Sequence, residues 1–181
     1  KQVDAVFSYN KKFKGLHNLD AKLGYSFFDR SYLHLSGSGR GAATDNIPTL
    51  NAAAVPLRVN GGESQLIVGG YFARVNYDYD QKYLLSLTGR YDGASNLGAD
   101  HKWGFFPGVS AGWNVHKENF WQDFIPNNGV TLKLRASLGT NGNIGNLSDY
   151  QAQGVYAANI RYGGEGGIQN AILANSKLKW E

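Results

Sequence analysis

Histidines are the first residues in this sequence that could bind a metal or catalyse a reaction. The four histidines are His17, His34, His101 and His116. They fall on separate segments, with no H-x-x-x-H spacing and no adjacent carboxylate pattern, so they indicate neither a metal site nor a general base. The sequence also has no phosphate loop with G-K-[ST] and no cysteine. It therefore predicts no catalytic residue, no metal ligand and no cofactor.

Positively charged side chains at alternating positions are the second group of candidate functional residues. Four of them, with one amide, fall on the polar sides of three patterned segments: Arg74, Asn76, Arg90, Lys133 and Arg135. Such cations either pair with carboxylates that face them or line the path of a solute, and the sequence leaves both interpretations open. The loop from Asp92 to Asp100 has oxygen-bearing residues but lacks the terminal Glu of an EF-hand, so calcium binding stays an open alternative.

The element that positions these cations is the stretch from Gly70 to Trp113. On its first segment, apolar residues occupy the odd positions from Tyr71 to Tyr79, while Arg74, Asn76 and Asp78 occupy even positions. Alternation of this kind is the period of a β-strand. The same pattern returns in two more segments, from Tyr83 and from Trp103, so we expect three successive strands with one apolar and one polar face.

Two architectures fit one apolar and one polar face. In a soluble sandwich the apolar face is the dry core, whereas in a transmembrane barrel it meets lipid and the polar face lines the lumen. Aromatic residues cluster at the segment ends, with Tyr77, Tyr79 and Tyr83 around a short turn and Tyr91 and Trp103 beside a longer loop. Aromatic girdles at both ends favour the membrane barrel.

The run RYDGASNLGADHKWGFFPGVSAGW resembles the core of SusC/RagA-type TonB-dependent outer-membrane transporters. The residues that carry the resemblance are Arg90, Asp92, Gly93, Ser95, Gly98, Trp103, Gly104, Phe106, Pro107, Gly112 and Trp113. LKLRASLGTNGN from Leu132 and LKWE from Leu178 are similar to later parts of the same family. Ala94 departs from it, because Ser is commoner there. The resemblance implies a 22-stranded barrel with an N-terminal plug, energised by TonB and working with a SusD-like surface lipoprotein.

Alternation elsewhere predicts further strands from Val3 to Asn10, from Leu19 towards Leu35, and from Val130 to Leu138. We expect long loops at Ser36–Ser64 and Gly139–Ser176, and a strand that begins near Leu178. The predicted fold is all-β: an antiparallel transmembrane β-barrel segment of six to seven strands with long extracellular loops. Because the chain opens and ends within patterned sequence and has no Met, we expect residues 1–181 to be part of one barrel domain, without its plug or closure.

The resemblance also implies function. We expect active import of glycan or peptide oligomers across the outer membrane of a Gram-negative bacterium, without enzymatic chemistry. Seven residues are candidate extracellular contacts: Asp92, Asn96, Asn143, Tyr150, Tyr156, Arg161 and Tyr162. Expected partners are the lipoprotein, the TonB complex, the oligomer and lipid. Nucleic acid is not expected, because the 18 basic residues are dispersed. A passive or structural outer-membrane barrel and a soluble β-sandwich carbohydrate-binding module are the alternatives.

Overall fold

A computed structural model describes residues 1–124 and 129–181 of the chain. Within these ranges the regular elements are almost all β-strands. The strands are β1 (Gln2–Phe13), β2 (His17–Ala42), β3 (Ala53–Tyr79), β4 (Tyr83–Ala94), β5 (Trp103–Asn114), β6 (Lys133–Gly139), β7 (Val155–Tyr162) and β8 (Glu165–Ile172). One short helix, α1, spans Asn119–Phe124. No helix in the described ranges is long and apolar enough to cross a membrane.

Six strands form one antiparallel sheet in the order β1-β2-β3-β4-β5-β6, so every neighbour in sequence is also a neighbour in space. Two three-residue turns, at residues 14–16 and 80–82, define what we call the short-turn end of the sheet. Each turn has two residues with positive φ, Lys14 and Gly15 in the first and Asp80 and Gln81 in the second. The opposite end carries the connection between β4 and β5, and we call it the long-loop end.

The register places the apolar residues of neighbouring strands opposite one another. Val75 lies opposite Leu87, and Leu87 lies opposite Val109. Cross-strand partners project from the same side of a sheet. The apolar face is therefore continuous, and its main residues are Ala21, Leu23, Val75, Leu85, Leu87, Val109, Ala111, Leu134 and Leu138.

Aromatic residues bound the apolar face at both ends. At the short-turn end, the rings of Tyr79 and Tyr83 stack at 6.4 Å. At the long-loop end, Tyr25 and Tyr71 lie 5.0 Å apart and Tyr91 stacks on Trp103 at the same distance. The eight residue steps from one end to the other span about 27 Å along a strand. That length suits the apolar band of a membrane barrel, which is about 25 Å tall.

The apolar face is open rather than packed. Leu85 is 42% exposed and Leu138 is 79% exposed, and no second sheet covers the face in the described part of the chain. Among those residues the buried hydrophobic side chains are Ala94, Leu97, Val115 and Ala152. A β-sandwich needs two sheets packed face to face, so the soluble-sandwich alternative is wrong.

Both of the long loops expected from the sequence contain strands, and the first is mostly strand. β2 continues to Ala42 and pairs with β3 from Ala53, so the predicted loop Ser36–Ser64 is an extended hairpin closed by residues 43–52. The register shifts between Ser38 and Gly39, next to Pro56. A proline has no N–H for the ladder and is tolerated at such irregularities.

The predicted loop Gly139–Ser176 contains the β7–β8 hairpin, which forms a separate two-stranded sheet. Its turn is Gly163-Gly164, with positive φ at both residues, and a Gly-Gly pair suits a two-residue hairpin turn. The strand expected from Leu178 is absent, since residues 178–181 of the described chain have no strand. Strands β1 to β6 and the turn at residues 80–82 are confirmed, with β6 starting at Lys133 instead of Val130.

Candidate functional site

The polar face of the six-stranded sheet encloses a groove of about 530 Å³ at its short-turn half. All six strands contribute to its lining, which indicates that the sheet curves towards its polar side. Cross-strand partners define three levels of the polar face, in this groove and next to it, counted from the short-turn end. Level 1 is Lys12, Asn18, Asp78, Leu84, Gly112 and Arg135. Level 2 is Asn10, Asp20, Asn76, Ser86, Ser110 and Ser137. Level 3 is Ser8, Lys22, Arg74, Thr88, Gly108 and Gly139.

Asn76 is the centre of the hydrogen-bond network in the groove. Its Nδ2 donates to Asp20 Oδ1 at 3.0 Å, and its Oδ1 accepts from Ser86 Oγ at 2.7 Å and from Arg74 Nε at 3.1 Å. One level lower, Asn18 Nδ2 donates to Asp78 Oδ1 at 2.9 Å. Both carboxylates of the groove therefore have amide partners rather than cationic ones.

The cations of the groove outnumber its carboxylates. Five cations lie on the polar face: Lys12, Lys22, Arg74, Lys133 and Arg135. All of them except Lys22 line the groove. Two carboxylates, Asp20 and Asp78, lie on the same face. No ion pair within 4.0 Å joins any of these five cations to a carboxylate in the ranges 1–124 and 129–181. The groove consequently carries an excess of positive charge.

Lys22 and Arg74 lie directly opposite each other at level 3, on neighbouring strands. Like charges in that arrangement repel and destabilise a sheet. Thr88 and Ser8, the other neighbours at this level, are neutral. Level 3 therefore has two cations and no carboxylate.

Four of the five candidate residues on the polar face line this groove, namely Arg74, Asn76, Lys133 and Arg135. Arg90 lies above it and has a different environment. Its Nε and one terminal nitrogen each donate to Asp92 at 3.0 Å, and its guanidinium lies 5.6 Å from the centre of the Phe72 ring. The charge of Arg90 is thus neutralised within the sheet.

The sequence from Gly93 to Gly98 forms the most buried part of the described chain. Ser95 bonds to Ile67 in both directions, with its N–H donating to the Ile67 carbonyl at 2.9 Å and its Oγ accepting from the Ile67 N–H at 3.0 Å. Leu97 is buried, and the Gly98 N–H donates to the Leu178 carbonyl at 2.9 Å. Residues 93–98, which are part of the family-like motif, therefore pack the long-loop end of the sheet.

Trp180 joins the last residues of the chain to this loop. Its Nε1 donates to the Lys102 carbonyl at 2.9 Å, and its ring meets Phe106 edge-on at 5.2 Å. A side chain at Gly104 or Gly142 would collide with these two rings. The glycines leave the space in which the rings pack, so both ends of the segment 142–181 are held against the six-stranded sheet.

The seven candidate extracellular contacts differ in their exposure and in their hydrogen bonds. Asn96 is 1% exposed, and Asp92 is bound to Arg90. Asn143 is held through its N–H, which donates to the Glu181 carbonyl at 2.8 Å, and Tyr150 lies at the start of the turn closed by Gly154. The other three lie together on β7, where they are exposed: Tyr156, Arg161 and Tyr162. Asn143 and Tyr150 are exposed as well, so five of the seven candidates are accessible.

Glu118 organises the short-turn end, outside the strands. Trp113 Nε1 donates to its Oε1 at 3.0 Å, and Lys82 Nζ lies 3.7 Å from Oε2. The pKa of the Glu118 carboxyl is lowered, first by the hydrogen bond from Tyr83, then by that from Trp113, with Lys82 adding attraction. The carboxylate form thus ties the turn after β3 to the connection after β5.

Lys12, Lys22 and Trp180 are the residues that sequence reasoning did not include among its candidates. Lys12 and Lys22 occupy the polar positions of β1 and β2, so the parity of those strands could have revealed them. Trp180 gave no periodic signal because it lies in irregular chain. The described residues contain no group of three or more His, Asp or Glu side chains placed to hold a metal ion.

Comparison with known proteins gives concordant matches. A family model described as "TonB dependent receptor-like, beta-barrel" matches residues 2–181. The TonB-dependent receptor P3 of Formosa agariphila is 34% identical over 179 residues, covering 96% of this chain and 18% of that protein. The TonB-dependent receptor SusC of Bacteroides thetaiotaomicron is 36% identical over 119 residues, covering 61% of this chain and 12% of that protein.

A solved structure, titled "Structure of the RagAB peptide transporter", is similar over 99% of this chain and 20% of that one. The TM-score is 0.83 at 20% sequence identity, so the likeness concerns the fold. The chain spans less than a fifth of the length of the two curated relatives named above.

Proposed function

The chain belongs to the TonB-dependent receptor β-barrel family, of the SusC/RagA type, and from this premise we propose that it forms part of the wall of an outer-membrane importer. The imported solutes are nutrient oligomers, either glycan or peptide. The barrel works with a SusD-like surface lipoprotein and is energised through TonB by parts of the protein outside residues 1–181. These residues then belong to a single barrel domain in a Gram-negative outer membrane.

The observation that carries this proposal is the opposite chemistry of the two faces of one curved sheet. The apolar face is exposed and bounded by aromatic residues, as a lipid-facing surface requires. The concave face is polar and hydrogen-bonded, as a solute path requires. Import consists of binding and gating, which needs no catalytic constellation, and the family is one of transporters and receptors.

The topology that follows puts the two ends of the sheet on opposite sides of the membrane. Short turns are periplasmic and longer loops extracellular in such barrels, so residues 80–82 belong inside and the β7–β8 hairpin outside. The candidate contacts on that hairpin, Tyr156, Arg161 and Tyr162, suit stacking and polar contacts with an oligomer or with the lipoprotein.

Whole-cell labelling tests this topology. Single cysteines replace Gly164, in the exposed hairpin turn, and Gln81, in the short turn, in the full-length protein. We expect an impermeant maleimide to label Gly164→Cys on intact cells and Gln81→Cys only after the outer membrane is permeabilised. The reverse pattern would overturn the proposed orientation.

Uptake measurements test the function itself. Deleting the gene should abolish growth on the imported oligomer and leave growth on its monomer unchanged, and loss of TonB should have the same effect. Oligomer uptake that continues without TonB would instead favour the alternative of a passive pore.

A further inference from the structure

The distal parts of β2 and β3 form a two-stranded ribbon beyond the long-loop end of the six-stranded sheet. β1 ends opposite Phe28 and β4 ends opposite Val68, while β2 and β3 stay paired as far as Ala42 and Ala53. The ribbon therefore extends about 45 Å past its neighbouring strands. In the proposed topology this ribbon lies outside the bilayer, on the extracellular side.

Tyr32 and His34 lie two residues apart in this ribbon and project from the same face of it. Their rings are parallel to within 4°, with centroids 6.4 Å apart. A group inserted between them would need about 3.5 Å on each side, so it does not fit. A ligand must contact the ring pair from outside, where Tyr32 is 59% exposed.

A shallow depression of about 360 Å³ lies beside the two rings, and it is lined by Tyr32, His34, Gly62, Glu63 and Ser64. In the register of the ribbon, Tyr32 lies opposite Ser64 and His34 lies opposite Gly62. A Cβ added to Gly62 would meet no atom within 4 Å. Because Gly62 has no side chain, the ring of His34 stays uncovered on that side.

The chemistry of this depression fits a neutral sugar. One face of a pyranose ring presents C–H groups that pack on an aromatic ring, while its hydroxyls can bond to the Ser64 hydroxyl and the Glu63 carboxylate. Glu63 has no ion-pair partner within the ranges 1–124 and 129–181. The nearest basic residue of β2, Arg30, is paired with Asp149 at 3.0 Å. The unneutralised carboxylate therefore disfavours acidic sugars.

We propose that Tyr32 and His34 form a stacking site for a neutral oligosaccharide on its way into the barrel. This rests on the proposed import function and names the class of its substrate. An extended peptide would pair with an edge of the ribbon, whereas the two rings lie on its face. The Arg30–Asp149 ion pair joins the start of the ribbon to the segment 142–181, so the site stands beside the long-loop end.

Calorimetric titration of the purified full-length protein tests the proposal. The probes are neutral hexasaccharides of glucose, xylose, mannose and arabinose, together with hexagalacturonate and a tyrosine-containing hexapeptide. We expect at least one neutral hexasaccharide to bind more tightly than the last two probes. Tyr32→Ala/His34→Ala should weaken its binding about tenfold, as expected for the loss of two aromatic contacts. Tyr32→Phe keeps the ring and should retain most of the affinity.

Leu33 and Leu35 supply the matched control. They alternate with the two aromatic residues, project from the opposite face of the ribbon and are 70% and 74% exposed. Leu33→Ala/Leu35→Ala should leave binding unchanged. Gly62→Leu fills the depression without a clash and should weaken binding while the heat-modifiable mobility stays normal. Gly61→Leu, on the other face, should not weaken it.

Four results would overturn the proposal. The first two are binding of none of the neutral hexasaccharides, and tighter binding of hexagalacturonate or of the peptide. The third is an equal effect of the aromatic and the leucine variants. The fourth is unchanged oligosaccharide binding by Tyr32→Ala/His34→Ala with loss of the co-purifying lipoprotein, which would make the rings a partner contact. Each result is compatible with TonB-dependent uptake of another oligomer, so the import function is judged separately.

Discussion

Ser137 and Leu138 are neighbours in β6, yet they belong to surfaces with opposite chemistry. Ser137 lies at level 2 of the groove, opposite Ser110, and Leu138 lies on the apolar face, opposite Val109. Both side chains are exposed in the described chain, so burial does not distinguish them. The difference shows that the surroundings of each face, lipid on one side and water on the other, determine which residues are tolerated there.

The largest effect is expected from placing a charge in the middle of the apolar face. Leu87 and Leu138 lie in the same cross-strand row, halfway between the two aromatic borders. An arginine there costs about 2 to 4 kcal/mol at the bilayer midplane and less near the interfaces. Leu87→Arg and Leu138→Arg should therefore impair barrel assembly, measured by heat-modifiable gel mobility of the full-length protein, more than Leu85→Arg or Leu134→Arg.

The matched control for Leu138→Arg is Ser137→Arg, one residue away on the polar face. A water-lined face accepts another cation at little cost, so assembly should be nearly normal. Similar loss of assembly in the two variants would mean that lipid does not distinguish the faces.

The next effect distinguishes the stability of the segment 142–181 from that of the six-stranded sheet. Trp180→Ala removes the indole hydrogen bond to Lys102 and the contact with Phe106. Truncation of a large aromatic residue costs up to about 3 to 5 kcal/mol when it is fully buried, and the half-buried Trp180 should lose less. We expect faster proteolysis within residues 142–181 while the barrel keeps its heat-modifiable mobility. Trp103→Ala, at the edge of the apolar face, should not change that cleavage.

The smallest effect concerns the short-turn end and depends on pH. The folded protein lowers the pKa of Glu118 below its ordinary value of 4.5, so its stabilisation is complete above that value. It disappears as pH falls through the lowered pKa, where the carboxyl becomes protonated. Glu118→Gln should slightly lower the unfolding temperature at pH 7 and have no effect in strong acid. An equal decrease at both pH values would contradict the role of the charge.

The sequence predicted the strands correctly where side chains alternate in polarity. β4, with Tyr83, Leu85 and Leu87 against Ser86 and Thr88, follows the two-residue period and was predicted correctly. The distal parts of β2 and β3 were taken for a loop because Gly, Ala, Ser and Asn dominate residues 36–64 and dilute the period. Their pairing continues a register already set nearer the membrane.

The β7–β8 hairpin had a local signal that was missed. Gly163-Gly164 lies between two segments that can pair, which is a typical hairpin turn. The groove was predicted in part, since parity alone placed Arg74, Asn76, Lys133 and Arg135 on the polar face. The opposition of Lys22 and Arg74 could not be predicted, because it depends on the register between β2 and β3.

A nitroxide scan of β4 tests most directly whether the two faces meet lipid and water. Leu85, Ser86, Leu87 and Thr88 are replaced one at a time by spin-labelled cysteine in the full-length protein, reconstituted in lipid. Oxygen concentrates in lipid, and a polar nickel chelate stays in water. We predict high oxygen accessibility at Leu85 and Leu87, and high chelate or low overall accessibility at Ser86 and Thr88. Alternation in the opposite phase, or none, would contradict the account.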